Sequence, residues 1–347
     1  MNIATVNPLN NPLWQQLTEQ HRSTVFHSPE WMRVLHETYG FGIHAHILLD
    51  EANQPRSGVA YCTINDMMDP RMASLPFSDF CDPLVANLDE WRCLVDRLLD
   101  SRQRISLRCL HNQVPLEDKR FTLAGRAKWH CVDLQRDEDD IWQGLHGSAR
   151  RAIKKAQRSD VTVRISQEKD DLRAFFDLHL GVRKYKYKLL AQPYRFFENI
   201  WQQFIAPGKG TLILAVHEEE VIGGVLFLEW QDGLYYKFNA SNPDAIALRP
   251  NDLVVWEGIR YGQSRGLSFL DFGLSDWDQE GLLQYKRKFA TEEKTISMLR
   301  YMPDGSPSST EKQLRQILPQ LTDLFVDESV PDSITEKAGD VLYRLFT

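Results

Sequence analysis

Along this chain the spacing of apolar residues switches repeatedly between the 3.6-residue period of a helix and the alternation of a strand. "HSPEWMRVLHETYG" reads as a helix opened by Ser28 as cap with Pro29 at its first position, whereas "HAHILLD", "GVAYCTI" and "RMASLPF" read as strands. The amphipathic helix "NLDEWRCLVDRLLDSR" and the strand "RISLRCL" complete a first α/β half. The second half repeats that grammar with strand "AKWHCVDL", helix "SARRAIKKAQR", strand "VTVRIS", a long helix over residues 168–188 and another near "PYRFFENIWQQF". "GTLILAVHEEEVIGGVLFLEWQDGLYYKFNAS" then predicts three antiparallel strands turning at "EEE" and "QDG", followed by a helix over 250–265 and the strand "LSFLDFG". Two similar α/β units in tandem account for this order, with a boundary near residues 125–130. "PDGSPSSTEK", residues 303–312, reads as a linker before one or two C-terminal helices.

A length of 347 residues fits two domains, and a 42% hydrophobic content supplies two cores. The net charge of -7 excludes a surface that is a nucleic-acid footprint as a whole, so anion binding has to come from local basic patches. Cys62, Cys81, Cys93, Cys109 and Cys131 are scattered and form no C-x-x-C metal pair, the pattern of a reduced, cytoplasmic protein. The N-terminal stretch has no basic segment followed by an apolar core, and no run approaches the ~18–20 apolar residues of a membrane span. The expected location is cytoplasmic, with peripheral association at the inner face of the membrane left open.

Three basic constellations carry candidate chemistry. In "SARRAIKKAQR", Arg150, Arg151, Lys154, Lys155 and Arg158 share one arc of the helix, opposite Ala149, Ala152, Ile153 and Ala156. That arc is either a solvated face or a platform for phosphates. In "DDLRAFFDLHLGVRKYKYK", Arg183 and Tyr187, spaced i and i+4, prolong the buried face of Phe175, Phe176, Leu178, His179 and Val182. Arg183 offers a planar fork for phosphate or carboxylate and Tyr187 a ring with a hydroxyl, unless the pair only packs. In "LDFGLSDWDQEGLLQYKRKFA", Lys286 falls on the apolar face of Leu282, Leu283, Tyr285 and Phe289. A lysine there snorkels, pairs with an acid such as Asp271 or Asp276, or points into a polar cavity where it steadies an oxyanion or a donor phosphate.

The order "RRAIKKA", "RKYKY", "GGVLFLEWQDGLYYKFNAS", "LRPNDLVVWEGIRYGQSRGLSFLDFG" and "GLLQYKRKFA" resembles the FemAB superfamily, whose members contain tandem GNAT-like (N-acyltransferase) domains. "FHSPEWMRVL" and "SLPFSDFCDPL" resemble first-domain segments of FemAB-like acyltransferases from envelope-polysaccharide loci, so the resemblance spans about residues 25–301. It implies an α/β (α+β) fold of two tandem GNAT-like domains, each a mixed, mainly antiparallel sheet flanked by helices. The expected domains are 1–128, then 129–302 with the active site, then a linker and helical tail over 303–347.

By the same resemblance the activity is N-acyl transfer to an amine of a cell-envelope or polysaccharide precursor. The donor is of acyl-CoA type, or an aminoacyl-tRNA as in the peptidoglycan members. Lys286 matches the lysine of the family's aromatic-Lys helix motif beside the donor carbonyl. Arg183 and Tyr187 match residues that hold the acceptor's nucleotide, and Tyr236, or its neighbour Tyr235, matches a tyrosine bordering the same cleft. Arg150, Arg151 and Lys154, together with Lys155, Arg158, Lys184 and Lys188, form a basic track for a tRNA donor.

One departure concerns the turn "IALRPND", which lacks the glycines with which GNAT enzymes cradle a pyrophosphate at a helix N-terminus. The "DFG" at 271–273 has none of the companion motifs of a kinase, and Cys81, flanked by Asp79 and Asp82, reads as structural. No metal is implied. The expected mechanism has no covalent enzyme intermediate: an amine attacks the donor carbonyl, Lys286 steadies the oxyanion, and Asp271 or Asp276 takes the proton. A rival from another class is a non-catalytic module that binds an envelope precursor or RNA through the basic helix.

Overall fold

The computed structural model describes residues 2–166, 168–303 and 307–347. The chain begins with β1 (Asn2–Val6), α1 (Pro12–Gln20), α2 (Pro29–Tyr39), β2 (Gly42–Leu49), β3 (Pro55–Ile64), β4 (Arg71–Ala73), α3 (Leu88–Leu99) and β5 (Arg104–Cys109). It continues through β6 (Thr122–Asp133), α4 (Glu138–Gly144), α5 (Gly147–Arg158), β7 (Thr162–Ile165), α6 (Lys169–Gly181), α7 (Tyr194–Ile200), β8 (Gly210–His217), β9 (Glu220–Trp230) and β10 (Gly233–Ser241). The last elements are α8 (Pro250–Ser264), β11 (Phe269–Asp276), α9 (Glu280–Arg287), β12 (Glu292–Tyr301), α10 (Ser309–Phe325) and α11 (Asp332–Leu342).

Local chemistry explains many of these boundaries. Ser28 Oγ accepts the Trp31 N–H at 3.1 Å and opens α2, with Pro29 in the first turn, where its missing N–H costs nothing. Two expected elements come out shorter. The helix expected over 168–188 ends at Gly181, and residues 182–186 widen into a π turn. Of "RMASLPF" only Arg71–Ala73 stays extended, because Leu75 and Phe77 adopt left-handed conformations at φ 54° and 61°. The linker read over 303–312 lies partly outside the described residues, and from Ser309 the chain is already helical.

The described chain divides into two units. The first comprises Met1–Lys128, Lys294–Gln316 and Arg344–Thr347. Its strands run in the order β1-β2-β3-β4-β5-β12. They are antiparallel except for β4 against β5. Trp91, Leu94, Val95 and Leu98 of α3 pack with Leu48, Val59, Ile105, Leu107 and Leu299 in its core. Because β12 pairs with β5 from Ser297 opposite Cys109 to Tyr301 opposite Ile105, residues 294–302, expected in the C-terminal domain, join this unit instead. Glu311, at the start of α10, is buried and takes both terminal nitrogens of Arg104 at 2.6 Å.

The second unit comprises Trp129–Glu293 and Ile317–Tyr343. Its strand order is β6-β11-β10-β9-β8-β7, with β7 to β10 antiparallel and β10 against β11 parallel. Helix α8 packs on this sheet through Val254, Val255 and Ile259, against Val225, Phe227 and Leu234. The approach is close at Gly258, where a Cβ would stand 2.3 Å from the Phe227 ring, so only glycine fits without a shift.

Candidate active site

The parallel pairing of β10 with β11 lasts three residues: Gly233 opposite Phe269, Leu234 opposite Leu270, and Tyr235 opposite Asp271. Beyond that point both strands leave the ladder. β10 is bulged between Tyr236 and Phe238 while it keeps its pairing to β9. β11 turns through Gly273 at φ +64°, a left-handed conformation that favours glycine. The Asp271 carboxylate fixes that turn by accepting the Gly273 N–H at 2.6 Å.

Lys286 supplies the other fastening. Its side chain is 3% exposed, and Nζ donates to the carbonyls of Phe272 at 2.6 Å, Leu274 at 3.0 Å and Gly273 at 3.3 Å. The lysine on the apolar face of α9 therefore neither snorkels nor sits unpaired: it places its charge where β11 parts from β10. Asp271 is likewise buried, whereas Asp276, at the end of β11, is exposed.

Three further polar atoms face inward around the parting strands. Asp252 Oδ1 in the first turn of α8, Ser275 Oγ on β11 and Tyr285 Oη on α9 are buried without a hydrogen-bond partner among the described residues. Buried polar atoms left unpaired cost desolvation energy, and these three, on adjoining elements, are groups that a ligand or a water can satisfy. Burial pushes the Asp252 carboxyl up, against the pull of Lys288 and Arg249. Burial, then the phenol of Tyr236 and the carboxylate of Asp252, push the Tyr285 hydroxyl up in turn. Sequence reasoning did not single out Asp252, Ser275 or Tyr285 as candidate functional groups. An acid three residues into a helix reads as an ordinary first-turn charge, and Tyr285 reads as part of the apolar stripe.

Tyr236 and Tyr235 point to opposite faces, as neighbours in a strand must. Tyr235 is buried against Phe269, at 5.9 Å between ring centroids. Tyr236 packs against Phe272 at 5.4 Å between ring centroids, the rings tilted by 60°, and burial followed by the Tyr187 phenol pushes its hydroxyl up. The structure therefore brings Tyr187, Tyr236, Tyr285 and Asp252 into one neighbourhood. Arg183 lies in the π turn after α6, its Nε bound to the Leu190 carbonyl at 3.0 Å and its terminal nitrogens without a partner among the described residues.

The basic face of α5 is only partly available. Arg150 donates to the Gln143 carbonyl at 2.7 Å and closes the end of α4, and Lys154 stands 5.7 Å over the Trp142 ring. Arg151 and Lys155 are exposed without an ion pair among the described residues. Lys184, counted in the basic track, is fully buried against Asp332 and does not extend an open surface, and the charge of the exposed Lys188 is paired with Glu328 at 2.8 Å.

In the first unit, a cavity of about 610 Å³ is lined by Arg22, Asp82, His111, Asn112 and Lys294 among others. Asp82 accepts the backbone N–H groups of Leu110 at 2.7 Å, Asn112 at 3.1 Å and His111 at 3.3 Å. Burial nevertheless pushes its carboxyl up to about 6. Burial, with Arg22 and Lys294 facing it, holds His111 down to about 3.

Comparison with known proteins places this geometry. A family model described as an acetyltransferase (GNAT) domain matches residues 145–287. The solved structure of FemX superposes with a TM-score of 0.66 and 13% identity, over 92% of this chain and 100% of that one. A tandem GNAT protein from the clavulanic acid biosynthesis pathway gives 0.56 and 8%, over 88% and 100%. L-PGS from Bacillus licheniformis gives 0.52 and 11%, over 91% and 96%. No curated protein matches by sequence. At these identities the structural likenesses establish a shared fold.

Proposed function

The chain belongs to the GNAT superfamily of N-acyltransferases through residues 145–287, with the fold of FemX and of tandem GNAT proteins, and from that premise we propose that the parted strands β10 and β11 seat the acyl donor's carbonyl for transfer to an amine of a cell-envelope or polysaccharide precursor. The observation that carries this reading is the end of the ladder at Tyr235 and Asp271, with a buried ammonium at the fork and three unpartnered polar atoms around it. A carbonyl lying there meets Lys286, whose 3.3 Å contact to the Gly273 carbonyl is the one a developing oxyanion replaces. The amine nitrogen forms the new C–N bond, the C–S or C–O bond to the donor breaks, and the leaving group takes a proton. The proton released by the nitrogen passes to water or to Asp276, the exposed acid at the end of β11. Arg183 and Tyr187 hold the acceptor's phosphate and its adjoining group.

We read the donor as an acyl-CoA-type thioester, because burial of Lys184 and pairing of Lys188 interrupt the basic track that a tRNA would need. A second reading, an aminoacyl-tRNA donor, is favoured by the start of α8. Arg249 at φ +65° and Pro250 precede a buried Asp252 there, so the helix offers no bare N–H cradle for a pyrophosphate. Thermal stabilisation by acetyl-CoA, uncharged tRNA and aminoacyl-tRNA in ~150 mM salt separates the two. A shift with acetyl-CoA alone is expected. A shift with aminoacyl-tRNA alone establishes the second reading, and no shift with any of them overturns both.

A further inference from the structure

The π turn that carries Arg183 and Tyr187 is held from outside by the C-terminal segment. Tyr187 N–H reaches back to the Val182 carbonyl at 3.2 Å, Leu189 N–H reaches the Arg183 carbonyl at 2.9 Å, and Lys188 adopts a left-handed conformation at φ +52°. A wide turn followed by a left-handed lysine is not a conformation that local preference maintains. The residues between Arg183 and Tyr187 make contacts that do maintain it. Lys184 Nζ donates to the Val330 carbonyl at 2.5 Å and to Asp332 Oδ1 at 2.7 Å. Tyr185 Oη donates to the same Asp332 oxygen at 2.7 Å, and Lys188 pairs with Glu328 at 2.8 Å. Lys184 is fully buried in doing so, while Arg183 is half-buried and Tyr187 is 45% exposed.

We propose that Asp332, at the first residue of α11, is a positioning residue: by taking Lys184 and Tyr185 onto one carboxylate oxygen it sets the π turn so that Arg183 and Tyr187 face an anionic acceptor. This inference rests on the reading of Arg183 and Tyr187 as acceptor contacts. The division of labour within the turn carries it, since the side chains of residues 184, 185 and 188 bond to the tail, whereas the terminal nitrogens of Arg183 and the Tyr187 hydroxyl make no hydrogen bond among the described residues. Burial works against the Lys184 charge, but the bonds to Asp332 and Tyr185 outweigh it and raise the ammonium above its ordinary value. A buried lysine of this kind depends on its carboxylate, because an unpaired ammonium in that place is costly.

The test uses the full chain, inorganic pyrophosphate as probe, and hydrogen exchange of the peptide covering residues 182–189. In Asp332→Asn, exchange in that peptide is expected to quicken by about tenfold and pyrophosphate binding to weaken by about tenfold, with β8 to β10 unchanged. Glu336→Gln cuts a tail contact outside the π turn, the two bonds of 2.9 Å from Arg173, and is expected to leave pyrophosphate binding as it was. If Asp332→Asn fails to fold, Lys184→Met, which leaves the half-exposed Asp332 to water, is read in the same way. Unchanged exchange and binding overturn the proposal, and so does an equal loss in Glu336→Gln, which would show general docking of the tail. Arg183→Ala distinguishes the underlying reading. If it leaves pyrophosphate binding intact, Arg183 is no acceptor contact and the positioning of an acceptor turn is overturned with it, whereas weaker binding in Arg183→Ala but not in Asp332→Asn overturns the role of Asp332 alone.

Discussion

Lys286 serves two demands with one ammonium: it satisfies carbonyls that Gly273 turns inward, and it leaves a positive charge at the fork. Lys286→Met is therefore expected to lower turnover by on the order of 10² to 10³, the scale for losing an oxyanion stabiliser. It should also lower stability by about 1–3 kcal/mol, since carbonyls lose a charged donor. Steady-state rates beside a denaturant midpoint check both, and a stability loss with unchanged turnover would leave Lys286 purely structural. Tyr285 makes the complementary case, because its hydroxyl is buried without a partner. Tyr285→Phe should raise the melting temperature and lower kcat/KM together, a combination that a purely structural hydroxyl does not give. For Arg183→Ala, separate titrations of donor and acceptor are expected to show the acceptor weakened and the donor hardly changed, and equal losses would count against its assignment.

At the scale of elements, α8 is set by a close approach at Gly258 as well as by the packing of Val254, Val255 and Ile259. Gly258→Ala places a methyl against the Phe227 ring, and a destabilisation of about 1–3 kcal/mol is expected from calorimetry. Much of this level was legible in the sequence. The one-sided charge of α5, the Ser28–Pro29 start of α2 and the three strands β8 to β10 follow from local period and turn chemistry, and all three are present. What was not legible depends on partners far along the chain. Nothing in residues 182–188 breaks the helical period, so the π turn shows only once Asp332 is opposite it. β12 has the alternation of any strand, and its union with β5 has no local mark. At the site, the sequence singled out Lys286 as anomalous, but backbone carbonyls, which every residue carries, are among its partners, and those leave no trace in residue types.

For the whole molecule, acid is the expected weakness. Burial holds His27, His46 and His179 down to about 4 and His111 to about 3. Between those values and the ordinary 6.5 the unfolded chain binds protons that the native one refuses, so stability rises with pH across that window. Asp82, raised to about 6, acts in the opposite sense between 3.8 and 6, because there the native state keeps a proton that the unfolded chain has lost. Asp252 and Asp340, also raised, act with Asp82, and His44 and His130, also lowered, act with the other imidazoles. Six imidazoles outweigh three carboxyls, and the urea midpoint at about pH 7 should exceed that at about pH 5; a flat or inverted profile would show that these imidazoles are charged in the fold. The pairing of β12 with β5 bears on a different moment in the protein's life. As the chain leaves the ribosome, the edge of β5 has to wait for a partner made about 190 residues later, on the order of 10 to 40 s at ordinary elongation rates. During that interval the nascent first unit exposes an open strand edge, the surface that chaperones cover and that neighbouring nascent chains join, so its yield in the cell depends on translation speed as well as on the stability of the finished fold.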